Sequence, residues 1–73
     1  MPYVSGPRLR RARLRAGMTR DDVIVAARRR RGRLSMATLR EKESSLRSRT
    51  SERVVVVLCA ALRCRRDEVI IAY

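Results

Sequence analysis

Five arginines within six residues, Arg28, Arg29, Arg30, Arg31 and Arg33, stand directly before a short serine-led segment, "SMATLREKE" (residues 35–43). A guanidinium is always charged, and its planar fork of donors matches phosphate and carboxylate oxygens. The chemistry on offer is therefore the holding of a polyanion. Catalytic chemistry is missing its parts. The chain has no histidine, and its two cysteines, Cys59 and Cys64, form no Cys-x-x-Cys pair, so a zinc site lacks ligands. Glu41 and Glu43 lie two apart on what reads as a helix and do not face each other. No nucleophile–base constellation is visible, and we expect no enzyme, no metal and no cofactor.

The charge points the same way. Nineteen Lys+Arg stand against seven Asp+Glu, a formal net charge of +12. Only Lys42 is lysine, a bias that a GC-rich genome accounts for; the net charge is not so explained. Such a field steers polyanions and gains from counterion release along a phosphate backbone. Nucleic acid is the first expectation, with acidic protein or membrane surfaces behind it. Two tyrosines and no Phe or Trp make a poor stacking platform for single strands, which favours duplex DNA.

Elements must position these residues, and 73 residues allow one small domain that buries about 60% of its unfolded surface. Residues 1–7, with Pro2, Gly6 and Pro7, read as a flexible N-terminal arm, and residues 8–73 as the domain. Leu9, Ala12 and Ala16 share a helical face, with Arg8, Arg10, Arg11 and Arg15 on a basic solvated one, and Gly17 stops the helix. Thr19 and Asp22 make a capping box for a second helix with Val23, Ile24 and Ala27 inward, and Gly32 is its first clear breaker. Ser35 caps a third around Leu39. Thr50 or Ser51 caps a fourth, where Val55, Leu58, Cys59 and Leu62 form a helical stripe despite four consecutive valines. A short element from Asp67 to Ile70 precedes "VIIAY". The expected fold is all-α, a compact bundle of about five short helices. Cys59 and Cys64, five apart at a helix exit, should fall on different faces, out of reach of a relaxed disulfide, which fits a reducing cytoplasm. No apolar stretch reaches the roughly 20 residues of a membrane span, so a soluble protein without a membrane partner is expected.

The order of these features resembles the Cro/Xre-type helix-turn-helix family, to which phage Cro and repressor proteins belong. "LRRARLRAGMTRDDV" looks like its opening, "LSMATLREKE" like its recognition helix, and "SERVVVVLCAALRCRRDEVI" like its closing segment; together they span residues 9–70. The resemblance implies a helix-turn-helix whose recognition helix, about 35–43, enters the major groove. Met36, Ala37, Arg40 and Glu41 would then face base edges, although Met36 and Ala37 also suit an ordinary surface. Arg40 would be the guanine donor, a pairing typically worth about 1–3 kcal/mol of discrimination. Ser35, Thr38, Thr19 and Arg20 would hold phosphates, as would Ser44, Arg47 and Arg49 in the following loop. Arg13 and Glu43 would form a partly buried salt bridge of purely structural role.

Several positions depart from the family pattern. Arg63 stands where a helix-ending glycine is common, Cys59 where an alanine is, Lys42 where an apolar residue is, and Ile24 where a small one is. About five extra residues lie between the caps at Thr19 and Ser35. These are the arginine run, which either lengthens the second helix or lies along phosphates through Arg29, Arg30, Arg31 and Arg33.

The expected function is a sequence-specific transcriptional regulator of phage or prophage type acting on an operator-like site. A chain this short leaves no room for a ligand domain, so no small-molecule ligand is expected. Dimerisation is the family expectation, with Val69–Tyr73 either its apolar contact or the end of the core. The alternatives are a protein-interaction module, such as an antitoxin or a partner-binding regulator, and a DNA-bending recombination or architectural factor.

Overall fold

Hydroxyl caps set the starts of four helices in the computed structural model, which describes residues 1–72. Ser5, Thr19, Ser35 and Ser51 accept from the backbone N–H three residues on and open α1 (Gly6–Arg15), α2 (Arg20–Arg29), α3 (Met36–Ser44) and α4 (Glu52–Leu62). Each such cap contributes about 0.5–2 kcal/mol. At Thr19 the box is complete, since the Asp22 carboxylate accepts from the Thr19 N–H at 2.9 Å. Those hydrogen bonds hold the Asp22 carboxyl below its usual range. The short α5 (Arg66–Val69) starts where the Glu68 carboxylate accepts from the Arg65 N–H.

Three helices stop by the same device. The residue after the last turn turns left-handed, and its successor donates to the carbonyl five residues back. Gly17 (φ 70°) does this for α1, with Met18 N–H on the Arg13 carbonyl at 3.1 Å. Arg31 (φ 57°) does it for α2, with Gly32 on Ala27 at 2.8 Å, and Arg63 (φ 54°) for α4, with Cys64 on Cys59 at 3.1 Å. Two of these left-handed positions therefore carry an arginine where glycine is the usual choice. Gly32 was the expected breaker of α2, but the turning residue is Arg31. A Cβ on Gly32 would lie 2.7 Å from Val57 Cγ1, so this glycine serves the close approach of α2 to α4.

Leu9, Val23, Ala27, Leu39, Val55, Leu58 and Val69 form the center of the core, and Cys59 and Leu62 complete the α4 stripe. Packing runs mainly between α2 and α4 and from α1 onto α3 and α5. Ala16, placed inward by spacing, is exposed at the end of α1.

The fold is mostly helical but not all-α. Tyr3–Val4 form β1, the middle strand of a three-stranded antiparallel sheet between β2 (Ser48–Arg49) and β3 (Ile70–Ala72). Residues 1–7 are therefore not an arm. Val4 is fully buried, the Thr50 N–H donates to the Pro2 carbonyl, and the Ser5 N–H donates to Val69, each at 2.9 Å. The backbone groups of the N-terminus thus have partners at both distant segments, which is the condition for burying them. The same pairing draws Val69 and Ile70 into the core and leaves Ile71 exposed. Tyr73, the last residue of the expected apolar contact, lies outside the described residues.

Gly6 permits the closest contact. A Cβ there would sit 2.2 Å from the Ser45 carbonyl oxygen and 2.5 Å from that of Glu43, and the Gly6 N–H donates to Ser45 at 2.9 Å. The start of α1 is thus locked onto the end of α3. The two cysteines also differ from the spacing argument. Because the chain reverses at Arg63, the Cys64 thiol returns to the neighbourhood of that of Cys59, and neither is in a disulfide. Burial above all, with the neighbouring thiol second, pushes Cys64 up to about 12.

Candidate nucleic-acid interface

α3 is a nine-residue helix with an inside and an outside. Leu39 and Glu43, four apart, are its two buried residues; Ala37, Arg40 and Glu41 are exposed, and Met36 is half-buried. Leu39 anchors it in the core. Glu43 anchors it electrostatically, because Arg13 of α1 donates Nε to Oε2 at 2.8 Å and Nη2 to Oε1 at 3.1 Å. The third branch of the same guanidinium donates Nη1 to the Met18 carbonyl at 2.9 Å. Both side chains are nearly dry, at 9% and 2% exposure, so α1 sets the angle at which α3 meets solvent.

Glu43 has a second cation. Arg20 Nε lies 3.5 Å from Oε1, an ion-pair distance without hydrogen-bond geometry. Arg20, expected on a phosphate, is partly committed to this carboxylate, though its side chain keeps 39% exposure. The pair expected at Arg13 and Glu43 is thus a cluster of three.

A shallow depression of about 520 Å³ brings Thr19 and Arg20 from the start of α2 beside Met36 and Arg40 of α3. Leu14, 56% exposed, borders this depression and a second one lined by Arg10 and Arg11. Arg10 and Arg11 share no depression with Met36 or Arg40, and Leu14 is what links the two concavities.

Hydroxyl chemistry sorts the remaining candidates. Ser35 Oγ accepts from the Thr38 N–H at 3.1 Å and donates to Thr38 Oγ1 at 2.9 Å, so the proton left for an outside acceptor is that of Thr38. Ser44, expected on a phosphate, already donates to the Arg40 carbonyl at 2.7 Å and lacks that proton. Arg47 is exposed and lies over the Tyr3 ring, 4.5 Å from its centroid. Arg49 is exposed on β2, and its carbonyl accepts from Lys42 Nζ at 2.9 Å, which ties α3 to the sheet.

The arginine run is divided. Arg28 and Arg29 end α2, Arg30 and Arg31 make its exit, and Arg33 is exposed in the connection to α3. The run is therefore part helix and part loop. Arg29 and Arg30 line a groove that no residue of α3 borders. They do not share a surface depression with Met36 and Arg40.

Among the described residues no group of three or more His, Cys, Asp or Glu side chains could hold a metal ion, and no helix is long and apolar enough to cross a membrane. No protein-family model, curated protein or solved structure matches the chain.

Proposed function

We propose that this chain is a sequence-specific double-stranded DNA-binding regulator of the Cro/repressor kind, with α2 and α3 as its helix-turn-helix and α3 as the reading helix. One observation carries the reading. α3 is capped at Ser35 and fixed from behind by Leu39 and the Arg13–Glu43 pair, while Ala37, Arg40 and Glu41 stand outward on a chain of charge +12. A helix held this rigidly, with an arginine and short side chains outward, suits a major groove.

On this reading Arg40 donates to guanine O6 and N7, and Ala37 or Met36 meets a thymine methyl. The Thr38 hydroxyl, the Thr19 end of α2 and the exposed Arg10, Arg11 and Arg47 engage phosphates on either side. Arg28, Arg31 and Arg33 add charge without sequence information.

Titration against a selected site and a random duplex at two salt concentrations tests the proposal. The expected result is a selected-site preference of about 10³ or more, with affinity falling steeply with salt. Arg40→Ala should cut that preference by about 1–3 kcal/mol while leaving the random-duplex affinity nearly unchanged. A specificity ratio near one would remove the regulator reading in favour of an architectural role. Absence of salt-dependent DNA binding would remove both.

A further inference from the structure

The groove that receives Arg29 and Arg30 has a volume of about 930 Å³. It opens where the C-terminal ends of α1, α2 and α4 converge. Its floor is apolar and soft, with Met18, Val25, Ala26, Leu62 and Cys64 among its lining. Val25 is 46% exposed there, on the outward stripe of α2 that also carries Asp22 and Arg29. Methionine and thiol side chains adapt their shape to an incoming surface.

The rim is basic and unspent. Arg15 is paired with Glu68 across it at 3.3 Å, and Asp22 is held by Thr19. The side chains of Arg29, Arg30 and Arg63 make no hydrogen bond or ion pair among the described residues. Capping does not account for them, because the ends of α2 and α4 are already closed by the backbone bonds at Arg31–Gly32 and Arg63–Cys64. A second copy of this chain is disfavoured as occupant by a charge of +12 on each partner. Duplex DNA gains nothing from an apolar floor. A small ligand would be left open on one side, whereas pockets for small ligands usually enclose most of their surface.

We propose that this groove docks an acidic amphipathic helix of a partner protein, its apolar stripe on Val25 and Leu62 and its carboxylates on Arg29, Arg30 and Arg63. An i, i+3/i+4, i+7 stripe laid in such a groove is a recurring mode of recognition. The site does not depend on the DNA reading. It lies away from the outward face of α3, so the chain could hold a duplex and a protein helix together.

The probe is a synthetic helix-forming peptide of four turns with a leucine stripe flanked by glutamates. Its controls are a scramble of the same composition and a version with lysine for glutamate. Fluorescence anisotropy with the full chain should show saturable binding of the stripe peptide and weak binding of both controls. Backbone amide shifts should change at Met18, along the outer stripe of α2 and at the end of α4, and not along α3. Arg29→Glu with Arg30→Glu, and separately Val25→Glu, should each weaken binding at least about tenfold, and Arg40→Ala should leave it unchanged. Circular dichroism of each variant confirms the fold. Equal binding of the scramble, shifts centred on α3, full displacement of the peptide by random duplex, or no saturation up to about 1 mM would each overturn the proposal.

Discussion

Removing the carboxylate of Glu43 is the most informative single perturbation of this fold. Glu43→Ala leaves the Arg13 guanidinium, 9% exposed, with only the Met18 carbonyl as partner, and leaves Arg20 without its counter-charge. Breaking a buried, hydrogen-bonded pair by deleting one member costs about 3–5 kcal/mol, mostly because a charge is stranded out of water. At roughly 0.05–0.15 kcal/mol per residue, a domain of this length has about 4–11 kcal/mol in all. The variant should therefore lose about a quarter of its stability or more, and Tm should fall by about 12 °C or more at the usual sensitivity of small domains. Urea unfolding followed by far-UV circular dichroism reads the change directly. Removing both charges with Arg13→Met and Glu43→Leu should restore most of the loss, because no guanidinium is then stranded, while Arg20 keeps enough exposure to turn to water. A loss below about 1 kcal/mol in Glu43→Ala, the range of a solvated surface pair, would refute the view that this pair fixes α3. A double variant no better than the single one would show that the lost packing, not the stranded charge, sets the cost.

Three further outcomes are expected. Gly6→Ala should reach or exceed the upper end of the roughly 1–3 kcal/mol seen for overpacking, since the new Cβ meets backbone carbonyls of Ser45, Glu43 and Lys42 that cannot swing aside; the urea midpoint reports it. Arg31→Gly and Arg63→Gly should each raise stability by roughly 0.5–1 kcal/mol by relieving a left-handed L-residue, and Gly17→Ala, where φ is 70° and nothing crowds the Cβ, should lower it by a similar amount, all read as Tm shifts. Alkylation of Cys64 at pH 8 should be about a thousandfold slower in the native chain than in urea, because a thiol at about 12 rather than 9.0 holds that much less thiolate. Folding favours the protonated thiol, so its contribution to stability is full below pH 9 and is lost as pH rises toward 12.

What was legible in the sequence was local. Thr19 with Asp22, Ser35, and Thr50 or Ser51 mark helix starts because capping is chemistry between residues three apart, and the structure places the last cap at Ser51. The valine run of α4 reads correctly because Val55, Leu58, Cys59 and Leu62 keep helical period through it. The sheet was hidden for the opposite reason. Strands of two or three residues carry no alternation, and β1 finds its partners some 45 and 67 positions away. Gly32 was misread because a glycine looks the same whether it supplies a backbone angle or an absent Cβ. Arg13 and Glu43, 30 residues apart, were joined only through the family resemblance. Nothing in spacing alone links Arg20 to the same carboxylate.

The arginine run shows how far composition misleads about a surface. Read as a string it is one basic unit, yet a helix turns its residues by about 100° each, and the run straddles a helix end. Arg28 falls on the stripe of Arg20 and Ile24, Arg29 and Arg30 face the groove with Arg63, and Arg31 is occupied in reversing the chain. The run is thus divided between two surfaces. Neutralising Arg28 and Arg33 should weaken all duplexes alike and leave the acidic peptide bound. Neutralising Arg29 and Arg30 does the reverse. A run acting as a single cationic patch would instead lose both ligands together in either variant, and that outcome would return the groove to the phosphate backbone.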